Sequence, residues 1–261
     1  MSDLLDLRRY HELADHEKAA AMQAFGVLAR LAVSYVRPIL FGRTAEGAPA
    51  HTASGFLVVV EEPFLVTARH NMEAYDACAA VDPTCPFQFG QLSFSPIGRR
   101  RDVDKDVDIA VISLSGLDLG LTTAMPYIPK PSDWPPPPLD ASRDSVIVSG
   151  LPRPFRSFRA ADVALGAYAL FARVKEAREG YVVCLVDNAS AVVGAGDDGL
   201  LHDPGMELNA MSGGPVLRLG SGPTYPIVGV MSQCASDVVE ALRIAHLGAV
   251  WPGVWSPRLQ V

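Results

Sequence analysis

A tight turn at Ser212 is the segment best suited to chemistry. Ser212 is followed by two glycines and Pro215, in the order Met-Ser-Gly-Gly-Pro. Glycines allow close backbone approach and unusual dihedral angles, and successive backbone N–H groups in such a turn can converge on an anion. A hydroxyl beside converging amides suits acyl transfer, because one loop then supplies both the nucleophile and the stabilisation of the oxyanion. Taken alone, the same residues also fit a simple glycine-rich hairpin turn.

Two further residues fit the roles that a serine nucleophile requires of its partners. A serine hydroxyl needs a base, and the base needs a carboxylate to orient it. His70 ends the run Leu65-Val-Thr-Ala-Arg, which predicts an imidazole at a strand end, although a lone histidine there is more often structural. Asp108 precedes the apolar run Ile-Ala-Val-Ile, and a carboxylate entering a core needs a partner such as an imidazole N–H. The order His70, Asp108, Ser212 therefore predicts a catalytic triad.

The elements that must position these residues change character along the chain. Residues 4 to about 36 carry apolar side chains at spacings of three and four, which predicts a helix that Pro38 ends. This helix has two interpretations: it packs on the body of the protein, or it docks a regulatory partner.

From about residue 39 the pattern consists of short apolar runs separated by Gly, Pro, Asn and Asp, which indicates many short strands. Residues 129–140 are rich in proline, with four in succession, and predict an extended linker. Strand-like runs then resume, while residues 158–179 fit a strand or a short helix. We predict a helical extension over 1–36, β-rich domains over 37–128 and 142–261, and a linker over 129–141.

Composition excludes several classes of protein. The formal charge is −7, with 22 basic and 29 acidic residues among 261, which disfavours non-specific nucleic-acid binding. No run reaches the roughly 18 apolar residues of a membrane span, and the charged start lacks a secretion core. We therefore predict a cytoplasmic protein with reduced thiols. No His/Cys cluster has zinc spacing, and triad chemistry requires no cofactor or metal.

Taken together, several short segments resemble the trypsin-like (chymotrypsin-fold) serine proteases, nearest to the bacterial high-temperature-requirement proteases but without a PDZ domain. The resemblance implies a mainly all-β protein of two six-stranded antiparallel barrels, with the active site between them, and it does not cover the N-terminal helix. The matching segments run from about residue 39 to 250 in the family's order: Ser54–Val58, Val66–His70, Asp108–Val111, Gly150–Pro152, Met211–Val216 and Val228–Ser232.

The same resemblance implies a role for each site residue. Ser212 is the expected nucleophile, His70 the base and Asp108 the carboxylate that holds it. The amides of Ala210 and Ser212 are expected to form the oxyanion hole. Substrate-binding positions are expected at Met206, Glu207, Leu208, Asn209, Ser232, Gln233 and Cys234, with Ser232 near Asp108 and the backbone of 232–234 pairing with an extended peptide.

Some residues depart from the family's pattern. Ala210 stands where glycine is usual, and its Cβ disfavours a positive φ in the oxyanion hole. Glu207 has two interpretations: it attracts a basic substrate side chain, or it is a solvated loop carboxylate. We predict a preference for Arg, Lys or a medium apolar residue. Three functions are open: a serine endopeptidase acting on proteins or peptides, a catalytically inactive binding module of the same fold, and an unrelated β-rich adaptor.

Overall fold

The structure is a computed structural model. It describes residues 12–45, 47–59, 62–101, 107–119, 128–129, 138–153, 156–159, 162–178, 181–185, 211–219, 226–234 and 241–246. The predictions for Met206 to Ala210, for most of the proline-rich linker and for residues 1–11 lie outside these ranges.

The N-terminal half forms one eight-stranded sheet. Its strand order is β5-β4-β1-β2-β3-β7-β6, all antiparallel, and β8 adds in parallel to β2. Helix α2 follows β3 directly. The elements of this half after the first helix are β1 (Val36–Phe41), β2 (His51–Val59), β3 (Pro63–Thr67), α2 (Arg69–Val81), β4 (Phe87–Phe89), β5 (Leu92–Ser93), β6 (Arg100–Arg101), β7 (Ala110–Ser113) and β8 (Ile128–Pro129).

The C-terminal half forms a closed six-stranded antiparallel barrel in the order β12-β13-β16-β15-β14-β9, and a separate pair, β10 and β11, precedes β12. In its described part, the segment 158–179, which fitted either a strand or a helix, thus contains strands and no helix. The elements are β9 (Ser145–Gly150), β10 (Arg156–Arg159), β11 (Asp162–Leu165), β12 (Tyr168–Arg178), β13 (Tyr181–Leu185), β14 (Pro215–Leu219), β15 (Ile227–Cys234) and β16 (Ala241–His246).

This architecture confirms the mainly β fold of two antiparallel sheets with an N-terminal helix. The second sheet has the six strands of the prediction, whereas the first has eight in the described part of the chain. The difference comes from short strands of two or three residues. The β4–β5 hairpin joins the edge of β1, and β8 pairs with β2 through two residues only.

The N-terminal helix α1 (Asp15–Tyr35) packs its apolar face on the second barrel. Phe25 is fully buried and its ring centroid lies 4.7 Å from that of Phe171 on β12. The carbonyl of Ala32 accepts a hydrogen bond from Ser149 Oγ at 3.1 Å. This face of the helix therefore packs on the protein body, the first of the two interpretations.

Helix α2 is absent from the sequence prediction, which ended β3 in a loop at His70. The helix buries Met72 and Tyr75 against the first sheet, a spacing of three that forms one short apolar stripe. A single stripe over 13 residues is a weak periodic signal. The consequence is that His70 lies in the first turn of a helix.

A single hydrophobic cluster joins both halves of the molecule. It contains residues of α1, of β2, β3 and β7 in the first sheet, and of β9, β12, β14 and β15 in the barrel. Because the cluster is shared, the two halves are held against each other along a seam. Hydrogen bonds from Ser232 to Asp108 and from Ser54 and Asn71 to the Ser212 carbonyl cross this seam.

Candidate active site

Asp108 fixes the start of α2 and the His70 side chain together. The first backbone N–H groups of a helix lack partners within the helix, and Ala68 at the N-cap has no side-chain acceptor to offer. Asp108 supplies the acceptor: Oδ1 accepts the His70 backbone N–H at 3.0 Å, and Oδ2 lies 2.8 Å from His70 Nδ1. One carboxylate therefore holds both the backbone and the ring of the histidine.

A third hydrogen bond reaches the same carboxylate from the second barrel. Ser232 Oγ on β15 donates to Asp108 Oδ2 at 2.5 Å. Burial by itself raises the pKa of the Asp108 carboxyl, but the hydrogen bonds from His70 and Ser232, together with the charge of His70, outweigh it and hold that pKa below its ordinary value. Asp108 is therefore an anion over a wide range of pH.

The contact with Asp108 also determines the tautomer of the His70 ring. An ionised carboxylate only accepts hydrogen bonds, so Nδ1 carries the proton of the neutral imidazole. Nε2 then bears the lone pair that a general base needs. The His70 side chain is 46% exposed, which leaves room for substrate at this ring.

Close packing on both sides of the Ser212 turn leaves no room for a side chain at the two glycines that follow Ser212. Gly213 has a φ of +91°, and a Cβ there would lie 2.1 Å from the carbonyl oxygen of Ser54. At Gly214 a Cβ would lie 1.7 Å from the carbonyl oxygen of Ser149. Ser54 belongs to the first sheet and Ser149 to the barrel, so the turn that carries Ser212 fits between the two halves.

Strand β15 connects this turn to the Asp108 site. The Gly213 N–H donates to the Met231 carbonyl at 2.7 Å, and the Met231 N–H donates to the Gly214 carbonyl at 2.9 Å. Ser232, the next residue of β15, is the one that reaches Asp108. The strand thereby fixes the Ser212 turn relative to the carboxylate.

The Ser212 carbonyl is bound to the first half as well. It accepts hydrogen bonds from the Ser54 N–H at 3.2 Å and from Asn71 Nδ2 at 3.1 Å. Asn71 is the neighbour of His70 on α2. Within the described residues, no hydrogen bond joins Ser212 Oγ to the His70 ring; such catalytic bonds are often long before substrate binds.

The remaining predicted site residues divide into those described and those outside the description. Ser232 is half-buried beside Asp108, and Gln233 is exposed on β15. The backbone of Cys234 pairs with Leu242 of β16. The first wall of the expected substrate pocket and one half of the expected oxyanion hole are not described: Met206, Glu207, Leu208, Asn209 and Ala210.

Three residues that orient the site were not assigned a role from the sequence. Thr67 lies within the motif that ends at His70, Asn71 follows that motif directly, and Ser54 begins another matched segment. Ser54 is fully buried, and its Oγ accepts the Leu151 N–H at 2.9 Å across the seam. A small polar residue directly before a buried apolar run was the available signal, because such a group must find a partner.

A pocket of about 650 Å³ lies elsewhere, on the first sheet toward the far end of α2. Its walls include Phe41, Tyr75, Cys85 and Phe87, and none of the candidate triad residues lines it. In the described ranges, no group of three or more His, Cys, Asp or Glu side chains is placed to hold a metal ion. None of the described helices is long and apolar enough to cross a membrane.

The closed barrel and the antiparallel first sheet fit the chymotrypsin fold. A scan against protein-family models found no match, and a search of curated proteins found none.

Similar solved structures include the Rv3671c protease from M. tuberculosis in its active form, at 14% identity and a TM-score of 0.48, over 90% of this chain and 87% of that one. The thermostable serine protease AL20 from an extremophilic microorganism has 12% identity and a TM-score of 0.45, over 82% and 92%. The protein GrC has 15% identity and a TM-score of 0.43, over 83% and 90%.

Proposed function

We propose that this protein is a serine endopeptidase that hydrolyses peptide bonds through Ser212, His70 and Asp108. The observation that carries the proposal is the bonding of one carboxylate to both the His70 ring and its helix start, at the seam that holds the Ser-Gly-Gly turn. This is the nucleophile, base and orienting group that acyl transfer requires.

The residues would act in two steps. Ser212 Oγ attacks the carbonyl carbon of the peptide while His70 Nε2 takes the hydroxyl proton, and Asp108 stabilises the resulting imidazolium. His70 then gives that proton to the leaving amine, and the C–N bond breaks to leave an acyl-enzyme. In the second step a water molecule gives a proton to His70 Nε2 and attacks the ester carbon. The ester C–O bond then breaks, and His70 returns that proton to Ser212 Oγ, which releases the acid and restores the free serine.

The oxyanion would form beside the Ser212 backbone. In the described part of the chain, no acceptor is bonded to the Ser212 N–H, which leaves this donor available for a developing negative charge. We propose the Ala210 N–H as its partner donor. With a side chain at residue 210, this half of the hole is expected to form as substrate binds.

Peptide binding is supported by the part of β15 that extends beyond its pairing with β14. The strand pairs with β14 through residues up to Val230, whereas residues 233 and 234 pair with β16 alone. On the side of β14, the described backbone beyond Met231 is an open strand edge, which an extended peptide can join. We propose that Ser232, Gln233 and Cys234 bind substrate there, with Met206, Glu207 and Asn209 lining the pocket for its side chain.

Cleavage of a peptide library tests this proposal. Intact protein is expected to produce new termini after Arg, Lys or medium apolar residues, and Ser212→Ala is expected to produce none. Ser115→Ala, which alters an exposed serine after β7, is the matched control and should cleave as the natural protein does. Equal cleavage by Ser212→Ala would contradict the proposal, and a strict preference for acidic residues would contradict the role of Glu207.

A second candidate, an inactive peptide-binding module, is favoured by two observations. Ser212 Oγ and the His70 ring share no hydrogen bond in the described structure, and Ala210 replaces the usual glycine. Such a module would capture library peptides along β15 without cleaving them.

A regulatory partner, if α1 binds one, would have to use the exposed face that includes Val27, because the opposite face is buried.

A further inference from the structure

Asn71 belongs to a closed ring of hydrogen bonds that spans the seam. Its Nδ2 donates to the Ser212 carbonyl and to Thr67 Oγ1, both at 3.1 Å. Thr67 Oγ1 donates to the Ser54 carbonyl at 2.7 Å, and the Ser54 N–H returns to the Ser212 carbonyl at 3.2 Å. The ring therefore joins α2, β3 and β2 of the first half to the turn of the second.

Donor and acceptor roles in this ring determine which side chain can occupy position 71. The Ser212 carbonyl can only accept, and the Thr67 hydroxyl spends its one proton on Ser54. Residue 71 must therefore present two donors, which an amide nitrogen has and a carboxylate lacks. Asparagine meets this requirement with a side chain short enough to remain beside its own helix.

The ring also encloses the residue after the serine. A Cβ on Gly213 would lie 2.3 Å from Thr67 Oγ1 and 3.0 Å from Asn71 Nδ2, in addition to its clash with Ser54. Gly213 thus presents its backbone to the polar groups of the ring. The ring holds the turn on both sides of the Ser212 carbonyl.

We propose that Asn71 is a positioning residue that sets Ser212 against His70, an inference that rests on the proposed function. Asn71 and His70 are consecutive residues of α2, so the hydrogen bond from Asn71 to the Ser212 carbonyl fixes the nucleophile relative to the base. This bond is needed because the two groups come from different halves of the molecule. Without it, Ser54 would be the one residue in the described part of the first half that is hydrogen-bonded to Ser212.

Phosphonylation rates of Asn71 variants test the positioning role. Asn71→Ala, which removes both donors, is expected to slow the reaction of Ser212 with a fluorophosphonate about 10- to 100-fold, the cost of a misplacement of about 1 Å. Asn71→Asp sets an anionic oxygen against the Ser212 carbonyl and is expected to be slower still. Glu73→Gln, an exposed change on the same helix, is the control and should react at the natural rate.

The pH profile separates positioning from general damage. The Asn71 side chain makes no described contact with the Asp108 carboxylate, so Asn71→Ala should lower the plateau of the rate–pH curve and leave its midpoint unchanged. A natural rate in a folded Asn71→Ala protein would overturn the inference. So would a shifted midpoint, since that would place the effect in the ring of His70.

Amide hydrogen exchange tests the same inference without any activity. Loss of the hydrogen bond from Asn71 to the Ser212 carbonyl should speed amide exchange at the Ser54 and Gly213 N–H groups. We expect this in Asn71→Ala but not in Glu73→Gln. If the natural protein is not phosphonylated, the proposed function fails while this exchange still decides on Asn71. Unchanged exchange at both amides would overturn the inference whether or not the serine reacts.

Discussion

At the residue scale, Asp108 is the group on which most of the site depends. It accepts three hydrogen bonds, from the His70 ring, the His70 backbone and Ser232, and so combines contacts from both halves. Because all three favour the charged form, they lower the pKa of Asp108 against the opposing effect of burial. Removing this one charge should alter both the reactivity that we propose for Ser212 and the stability of the protein.

We expect Asp108→Asn to slow phosphonylation of Ser212 by about 10⁴-fold, because an amide facing Nδ1 no longer fixes the tautomer of a catalytic histidine. Asp76→Asn, on the exposed side of α2, removes an equal charge away from the site and serves as the control. Labelling of the two variants is followed by mass spectrometry. Equal rates in both would show that Asp108 does not orient His70.

The same carboxylate gives a prediction for stability against pH. A pKa lowered in the folded protein means that Asp108 contributes stability above the unfolded value of about 3.9, and that this contribution is lost as the pH falls through the folded pKa. The difference in unfolding free energy between the natural protein and Asp108→Asn should therefore shrink as the pH falls below about 5 and through the lowered pKa of Asp108. Urea unfolding measures it, and a difference that stays constant would contradict the assignment.

Sequence alone could predict some residues of the site but not all. His70, Asp108 and Ser232 were predicted, because each stands at a fixed place in a matched motif. Asn71 was not, because its partner Ser212 is 141 residues away. That contact exists only once the two halves pack, and no local pattern encodes the packing.

At the scale of elements, the Ser212 turn is defined by what surrounds it. Gly213 needs its positive φ and also fills a space that has no room for a Cβ. Gly98 has a similar φ of +77°, but a Cβ on this residue would meet nothing within 4 Å. A comparison of the two glycines therefore separates the free-energy cost of the positive φ from the cost of the steric clash of a Cβ.

We expect Gly98→Ala to lower the free energy of unfolding by about 1–2 kcal/mol, the cost of a left-handed residue. Gly213→Ala should lower it by more and also abolish labelling of Ser212, because the added Cβ meets backbone on the first sheet. Urea unfolding and labelling of both variants provide the measurement. Equal losses, or a Gly213→Ala protein with normal labelling, would contradict the tight fit of the turn.

Helix α1 is a second element whose role can be measured. Phe25 is fully buried against Phe171, whereas Val27 on the same helix is 54% exposed. Phe25→Ala should cost about 3–5 kcal/mol of stability through the lost contacts and the cavity. Val27→Ala should cost under about 0.5 kcal/mol. A similar small effect in both variants would mean that α1 does not stabilise the barrel.

Elements with strong periodic signals were predicted, and those with weak ones were not. The long apolar stripe predicted α1, but α1 begins at Asp15, after an extended Ala14, and not at residue 4. Short apolar runs between turn residues predicted β2, β7 and β9. Helix α2 was not predicted, because its stripe is short and its first turn lies against the end of β3. The sequence prediction therefore lacked the element that positions His70.

At the scale of the whole molecule, the site exists because two sheets meet. The first half supplies His70 and Asp108, and the second supplies Ser212 and Ser232. The shared cluster beneath the seam, to which α1 contributes Phe25, holds the halves together. The pattern of short strands predicted the two β-rich halves. The strands β5, β6 and β8 of the first sheet have only two residues each, too few to carry a distinct pattern.

The most direct test of the account is to react the intact protein with a fluorophosphonate and to locate the adduct by mass spectrometry. The account predicts one adduct, on Ser212, that is lost in Ser212→Ala and retained in Ser115→Ala. A folded natural protein that does not react, or an adduct on any other serine, would contradict the claim that the seam assembles an activated Ser212.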